Sequence, residues 1–180
     1  MKQGFVKVAS ATPRIRVADP VYNAQVICEQ AKEAAEHGAK IVVFPELCIT
    51  GYTCNDLFLQ ELLLEKAKEA LLTIVEETGQ LEALFLVGLP VDKDGRLYNV
   101  AAVLYRGRIL GMIPKKNIPM YAEFYEGRHF TPGEETVTEY RLGKQEIPFG
   151  TNLLFRCEEL PELILGCELC EDLWVAEPPS

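Results

Sequence analysis

Long basic runs and long apolar runs are both missing from this sequence. The largest cation cluster is the pair Lys115-Lys116, and 27 acidic residues outweigh 18 lysines and arginines to give a net charge of -9. Surfaces that bind nucleic acid or anionic membranes need clustered cations, so we predict neither partner. No apolar stretch approaches the roughly 18 residues of a membrane span. The residues after Met1 also lack the pattern of a signal peptide, which predicts a cytoplasmic protein.

Histidine is scarce as well, with only His37 and His129. The six cysteines, at positions 28, 48, 54, 157, 167 and 170, are predicted to stay reduced, as is usual in the cytoplasm. Cys167 and Cys170 form a C-x-x-C pair. Zinc would require a second pair or histidines at ligand spacing, and neither is present. We therefore expect no metal site.

The remaining pattern predicts an α/β fold. Residues 5–10 and 41–44 each have the composition of a short buried strand. Between them, apolar residues recur at helical spacing from Asp19, the predicted N-cap, to Gly38. This β-α-β unit implies parallel strands, and a second amphipathic helix follows over residues 59–79.

A run of strands follows the second helix. They are predicted at residues 84–88, 97–105, 109–113, 136–140, 152–157 and 163–167. Cys167 then lies inside the last strand, which should end near Leu169 and turn into a helix at Cys170. Only ten residues follow Cys170, fewer than a further helix and strands need. We therefore expect residues 1–180 to be the N-terminal part of a longer domain.

Three polar residues stand at or just after predicted strand ends, where parallel α/β sheets bind ligands. They are Glu46, Lys115 and Cys170. Each alone is also consistent with a role outside catalysis: a surface glutamate, a solvated lysine or a structural cysteine. A cysteine nucleophile usually pairs with a histidine base, but neither His37 nor His129 is placed convincingly. A buried glutamate can replace the histidine, and a lysine can stabilise an oxyanion.

The segments around these residues resemble the nitrilase, or carbon–nitrogen hydrolase, superfamily. Phe44-Pro45-Glu46 followed by Gly51-Tyr52 is similar to its glutamate motif, F-P-E-x-x-x-x-G-Y. Residues 114–126 and 170–174 resemble the motifs P-K-x-x-L-P-x-Y-x-E-F-Y-E and C-E-D-x-W of the N-terminal glutaminase domain of glutamine-dependent NAD synthetases. The resemblance covers the whole chain, with three motifs in the expected order.

This resemblance implies a nitrilase-like αββα sandwich, here truncated before completion, and a role for each matching residue. Glu46 would be the general base, Lys115 rather than Lys116 the oxyanion stabiliser, and Cys170 the nucleophile. Glu126 would orient the lysine. The implied substrate-binding residues are Tyr52, Tyr121, Phe124 and Glu171.

The resemblance also implies partners and cofactors. The substrate would be L-glutamine, and its ammonia would pass to a synthetase domain of the same polypeptide, within a homo-oligomer. This part would need no cofactor, whereas the synthetase domain would use ATP and magnesium. Two alternatives stay open: a free-standing amidase or carbamoylase, which the aromatic segment after Lys115 argues against, and an inactive fragment that serves as an interaction module.

Overall fold

A computed structural model describes residues 4–179 as two α-helices, a large sheet and short 3₁₀ segments. Helix α1 spans Pro20–Glu36, and the Asp19 carboxylate caps it by accepting the Tyr22 N–H at 3.1 Å. Helix α2 spans Glu61–Glu77. It begins two residues later than predicted, because a 3₁₀ segment over Tyr52–Leu59 precedes it. No helix in residues 4–179 is long and apolar enough to span a membrane.

Nine strands lie within residues 4–179, and seven of them form one sheet. In spatial order the seven are β1 (Val8–Ser10), β2 (Ile41–Val43), β3 (Leu84–Lys93), β4 (Arg96–Tyr105), β5 (Arg108–Pro114), β7 (Gln145–Phe149) and β6 (Thr138–Leu142). Strands β1, β2 and β3 are parallel, as the β-α-β pattern predicted, whereas β3, β4 and β5 form consecutive antiparallel hairpins. Strands β8 (Phe155–Arg156) and β9 (Ile164–Leu165) pair separately.

Both faces of the central strands are covered. On β4, Val100, Ala102 and Leu104 belong to the main core beneath the two helices. Ala101 and Val103 alternate with them and pack on the opposite face, against Leu169 and neighbours of the β8–β9 segment. The residues that precede the 3₁₀ turn at Cys170 are thus fixed to the sheet by apolar contacts.

Several strand predictions were wrong in their bounds. Strand β1 is shorter than residues 5–10 and is not buried, since it lies at the sheet edge and Val8 is 63% exposed. Strand β7 was missed because Pro148 and polar neighbours obscure its alternation. The last strand ends at Leu165, where Gly166 follows, so Cys167 lies beyond the strand rather than within it. The α/β fold class itself is confirmed.

Candidate active site

Glu46 lies just after β2, on a segment that rests directly on β3. The Ile49 N–H donates to the Gly88 carbonyl at 3.1 Å. A Cβ atom at Gly88 would lie 2.4 Å from the Leu47 nitrogen, so only glycine permits this close approach. Leu47 is fully buried and anchors the segment. The Glu46 side chain, 18% exposed, is thereby held at the end of the sheet.

Lys115 directly follows β5, and its side chain is fully buried. Its ammonium group donates to Glu46 Oε1 at 2.8 Å and to Glu126 Oε1 at 2.6 Å. Burial lowers the pKa of Lys115, but the hydrogen bonds to Glu126 and Glu46 outweigh burial and raise the pKa overall. Lys115 is therefore a charged lysine between two carboxylates.

Glu126 lies in a short 3₁₀ turn, and only 4% of it is exposed. Besides Lys115, it accepts the Tyr52 hydroxyl at 2.8 Å. Burial and the Glu126 carboxylate raise the pKa of Tyr52, so the phenol keeps its proton and stays a donor. Glu126 thus accepts hydrogen bonds from the buried Lys115 and the half-buried Tyr52, which is the position expected for a residue that orients Lys115.

Asn99, which the sequence analysis missed, lies on β4 between the two carboxylates. Its Nδ2 donates to Glu46 Oε1 at 2.6 Å and to Glu126 Oε2 at 3.4 Å. Its backbone carbonyl accepts the Lys115 N–H at 2.8 Å. The signal available in the sequence was a single amide inside the otherwise apolar strand segment 97–104, and the structure shows that this amide is fully buried.

Cys170 opens a 3₁₀ turn, Cys170–Leu173, in an uncommon left-handed conformation with φ of 47°. The residue is exposed, yet the protein partly encloses its thiol. This partial burial, followed by the charge of Glu46, raises the pKa of Cys170, and the charge of Lys115 offsets part of the rise. The thiol is therefore neutral at rest and close enough to Glu46 and Lys115 to sense both charges.

Asp172, which the sequence analysis also missed, connects the Cys170–Leu173 turn to the segment that follows Lys115, here called the lysine loop. Its buried carboxylate accepts the backbone N–H groups of Lys116 at 3.3 Å, Asn117 at 2.7 Å and Leu169 at 3.2 Å. It also accepts the Asn117 side-chain amide at 2.9 Å. One carboxylate therefore fixes the position of the Cys170 turn relative to the segment that begins with Lys115.

The predicted substrate-binding residues are also near this turn. The Tyr121 hydroxyl donates to Glu171 Oε2 at 2.7 Å, and this bond raises the pKa of Tyr121. The Tyr121 and Phe124 rings meet edge to face, with centroids 5.6 Å apart. Tyr121 is 55% exposed, so its ring is available for contact with a ligand. The structure thus groups Tyr121, Phe124 and Glu171, whereas the Tyr52 hydroxyl binds Glu126, and the binding roles of all four stay predictions.

Other charged residues near these motifs lie outside the cluster. The Lys116 ammonium is bound to Glu135 on the surface at 2.7 Å. The His129 ring lies 3.1 Å from Asp56, which Arg128 also binds. Within residues 4–179, no group of three or more His, Cys, Asp or Glu side chains could hold a metal ion. The chemically capable set is therefore a thiol, a charged lysine and carboxylates.

Comparisons with known proteins show the family to which this chain is similar. The model of the carbon-nitrogen hydrolase family matches residues 7–179. Glutamine-dependent NAD(+) synthetase from Mycobacterium bovis is 41% identical over 179 residues, which are 99% of this chain and 26% of the relative. The corresponding enzyme from Thermotoga maritima is 31% identical over 180 residues, covering 100% and 27%. The chain therefore spans about a quarter of the length of these relatives.

Solved structures show the same fold. The crystal structure of a glutamine-dependent NAD(+) synthetase from Cytophaga hutchinsonii superposes with a TM-score of 0.80 and 28% identity, over 86% of this chain and 26% of that one. An amidase from Nesterenkonia sp. superposes with a TM-score of 0.60 and 23% identity, over 79% and 54%. At that identity, the amidase supports the fold alone.

Proposed function

Because the chain belongs to the carbon–nitrogen hydrolase family, we propose that its site hydrolyses the side-chain amide of L-glutamine. The released ammonia would pass to a synthetase domain of the same polypeptide, which would use it to convert nicotinic acid adenine dinucleotide to NAD. The matches to glutamine-dependent NAD(+) synthetases along 99% or more of this chain support this substrate.

One observation carries the proposal: the Glu46–Lys115–Glu126 ion cluster, whose charges act on the thiol of the exposed Cys170. Isolated buried charges are costly, and a fully buried lysine between two carboxylates is explained by chemistry more readily than by stability. Because the Cys170 thiol is neutral at rest, it needs a base during attack. Glu46 is the carboxylate whose charge acts on it most strongly.

In the first half of the reaction, Glu46 takes the Cys170 proton and the sulfur attacks the carboxamide carbon of glutamine. An ammonium group has three N–H donors, and Lys115 uses two of them on Glu46 and Glu126. The third is left for the oxyanion of the tetrahedral intermediate, together with the backbone N–H after Cys170. Each such donor typically contributes about 100-fold or more to the rate.

In the second half, Glu46 returns the proton to the leaving nitrogen, and ammonia departs. The γ-glutamyl thioester on Cys170 is then hydrolysed by water, which Glu46 deprotonates in turn. Tyr121, Phe124 and Glu171 would hold the substrate beside the thiol. Their grouping next to Cys170, through the Tyr121–Glu171 bond, supports this role.

Amide hydrolysis by this set of residues needs no cofactor. ATP and magnesium would serve the synthetase domain.

The test uses the full-length protein that contains this chain. Glu46→Gln should abolish glutamine-supported NAD synthesis, because a carboxamide cannot act as the base. Synthesis from added ammonia should survive, since ammonia bypasses the amide. Equal loss of both activities would contradict the proposal that amide hydrolysis and NAD synthesis take place at separate sites. Glutamine turnover in Glu46→Gln at the unsubstituted rate would contradict the role of Glu46.

A further inference from the structure

We propose that Asn99 is a positioning residue for proton transfer: its amide holds Glu46 so that Oε2 of that carboxylate takes the Cys170 proton. The inference rests on the proposed function, because it names the oxygen that acts as the base in that reaction. In this step the Cys170 S–H bond breaks and the proton passes to Glu46 Oε2. The sulfur electron pair forms the S–C bond, while the carbonyl π pair moves to the amide oxygen.

The two donors on Glu46 explain which oxygen is used. Asn99 Nδ2 and Lys115 Nζ both donate to Oε1, at 2.6 Å and 2.8 Å. An oxygen that already accepts two charge-assisted hydrogen bonds is a poor proton acceptor. Within residues 4–179, no side-chain donor binds the other oxygen. Oε2 is therefore the stronger base and the one left for the thiol.

The amide orientation follows from its neighbours. Nδ2 faces oxygens of both Glu46 and Glu126, and the reverse orientation would set the amide oxygen against two carboxylates. Among the described residues, no protein donor reaches Asn99 Oδ1, although the residue is fully buried. An unpaired buried acceptor lowers stability, so the amide is explained by its N–H groups rather than by packing.

Asn99 is also held by the strand that presents Lys115. Its carbonyl accepts the Lys115 N–H at 2.8 Å, in the pairing of β4 with the end of β5. The backbone of Asn99 is thus fixed to the strand end that also positions the lysine. One short strand segment sets the geometry of both donors on Oε1.

The experiment is steady-state glutaminase kinetics of the full-length protein, for Asn99→Ala and Asn99→Asp. The groups that face Glu46 are Lys115, Glu126, Tyr52 and Cys170. Loss of the Asn99 donor leaves the Glu46 carboxylate with one fixed contact fewer, so proton transfer from Cys170 should slow while substrate binding is unaffected. We expect kcat to fall roughly 10- to 100-fold with KM nearly unchanged, as for a misplaced catalytic group.

Asn99→Asp keeps the shape but sets a third carboxylate beside Glu46 and Glu126, so it should lose more activity than Asn99→Ala at neutral pH. Asn23→Ala is the matched control. Asn23 is also fully buried, but its amide binds backbone atoms of Arg16 and Ile49. The control should lower the melting temperature and leave kcat and KM close to those of the unsubstituted protein.

Alkylation of Cys170 by iodoacetamide gives a second readout that needs no turnover. Its pH dependence should change in Asn99→Ala and not in Asn23→Ala. If Asn99→Ala behaves like the control in both kcat and the pH dependence of alkylation, the positioning role is refuted. If the unsubstituted protein releases no ammonia from glutamine, the proposed function fails instead, and this inference fails with it.

Discussion

The two halves of the candidate site are held in different ways. Glu46, Asn99, Lys115 and Glu126 form a largely enclosed cluster on and beside the packed strands, and each has at least two hydrogen bonds. Cys170 lies instead on an exposed 3₁₀ turn beyond the last short strand. That turn is tied to the lysine loop through one buried carboxylate, Asp172.

This difference indicates how the site divides its tasks. The cluster has its lysine paired and its donors placed before substrate arrives, which is the preorganisation that oxyanion stabilisation requires. The thiol must be reached by substrate, so it cannot be enclosed to the same degree. The enclosed cluster and the accessible Cys170 turn are therefore connected by a separate residue, Asp172, whose carboxylate binds N–H groups on both sides.

The largest effect should come from removing the charge at the centre of the cluster. Lys115→Ala should reduce glutaminase turnover by about 1000-fold or more, because both the oxyanion donor and the placement of Glu46 are lost. It should also lower the free energy of unfolding by about 3–5 kcal/mol, since two enclosed carboxylates lose their cation. Kinetics and chemical denaturation of the full-length protein measure both effects.

Lys116→Ala is the control for this substitution. Its side chain pairs with Glu135 at the surface, so turnover and the unfolding midpoint should stay close to those of the unsubstituted protein. An equal loss of turnover in Lys116→Ala and Lys115→Ala would show that the cluster is not the catalytic half of the site.

A smaller effect on glutaminase turnover is expected from removing the Asp172 carboxylate, which connects the Cys170 turn to the lysine loop. Asp172→Ala should lower kcat about 100-fold, because a displaced Cys170 turn misplaces the thiol relative to Glu46. The loss of hydrogen bonds to a buried carboxylate should lower the free energy of unfolding by about 2 kcal/mol. Ammonia-supported synthesis, which does not use the thiol, serves as the internal control. Full glutaminase activity in a stably folded Asp172→Ala protein would show that the turn does not depend on Asp172.

The smallest effect concerns the reactivity of the thiols. The pKa of Cys170 lies above its ordinary value, so its thiolate is scarce at neutral pH and its alkylation should keep accelerating as the pH rises past 9.0. Burial raises the pKa of Cys167 to about 12, and that thiol should react far more slowly. Mass spectrometry of iodoacetamide-treated protein measures both. Faster labelling of Cys167 than of Cys170 at any pH would contradict the conclusion that the Cys170 thiol is accessible and the Cys167 thiol is packed against its neighbours.

The sequence made the cluster easier to predict than the turn. Glu46 and Lys115 follow apolar runs that end clearly, so their place at strand ends could be predicted from local pattern alone. The predicted bounds of the last strand were wrong. Apolar residues recur as far as Leu169, but the strand ends at Leu165, and Gly166 follows it. Cys170 was placed at a turn correctly, although the turn is 3₁₀ and follows an irregular segment.

Asn99 and Asp172 could not be predicted because their importance depends on contacts between distant segments. Asn99 is 53 residues from Glu46 in sequence, and Asp172 is 55 from Asn117. A polar residue inside an apolar strand indicates that a partner exists but not which one. Only the pairing of β4 with β5, and the packing of residue 169 on that sheet, brings these partners together.

The most direct test of the central claim is to identify the thiol that attacks the substrate. The full-length protein would be treated with a glutamine analogue that carries a diazoketone in place of the carboxamide, and the adduct located by mass spectrometry. We predict a single adduct on Cys170, suppressed by excess glutamine, with Cys167 unmodified. An adduct on Cys167 with Cys170 unlabelled would contradict the assignment of the nucleophile and the proposed function built on it.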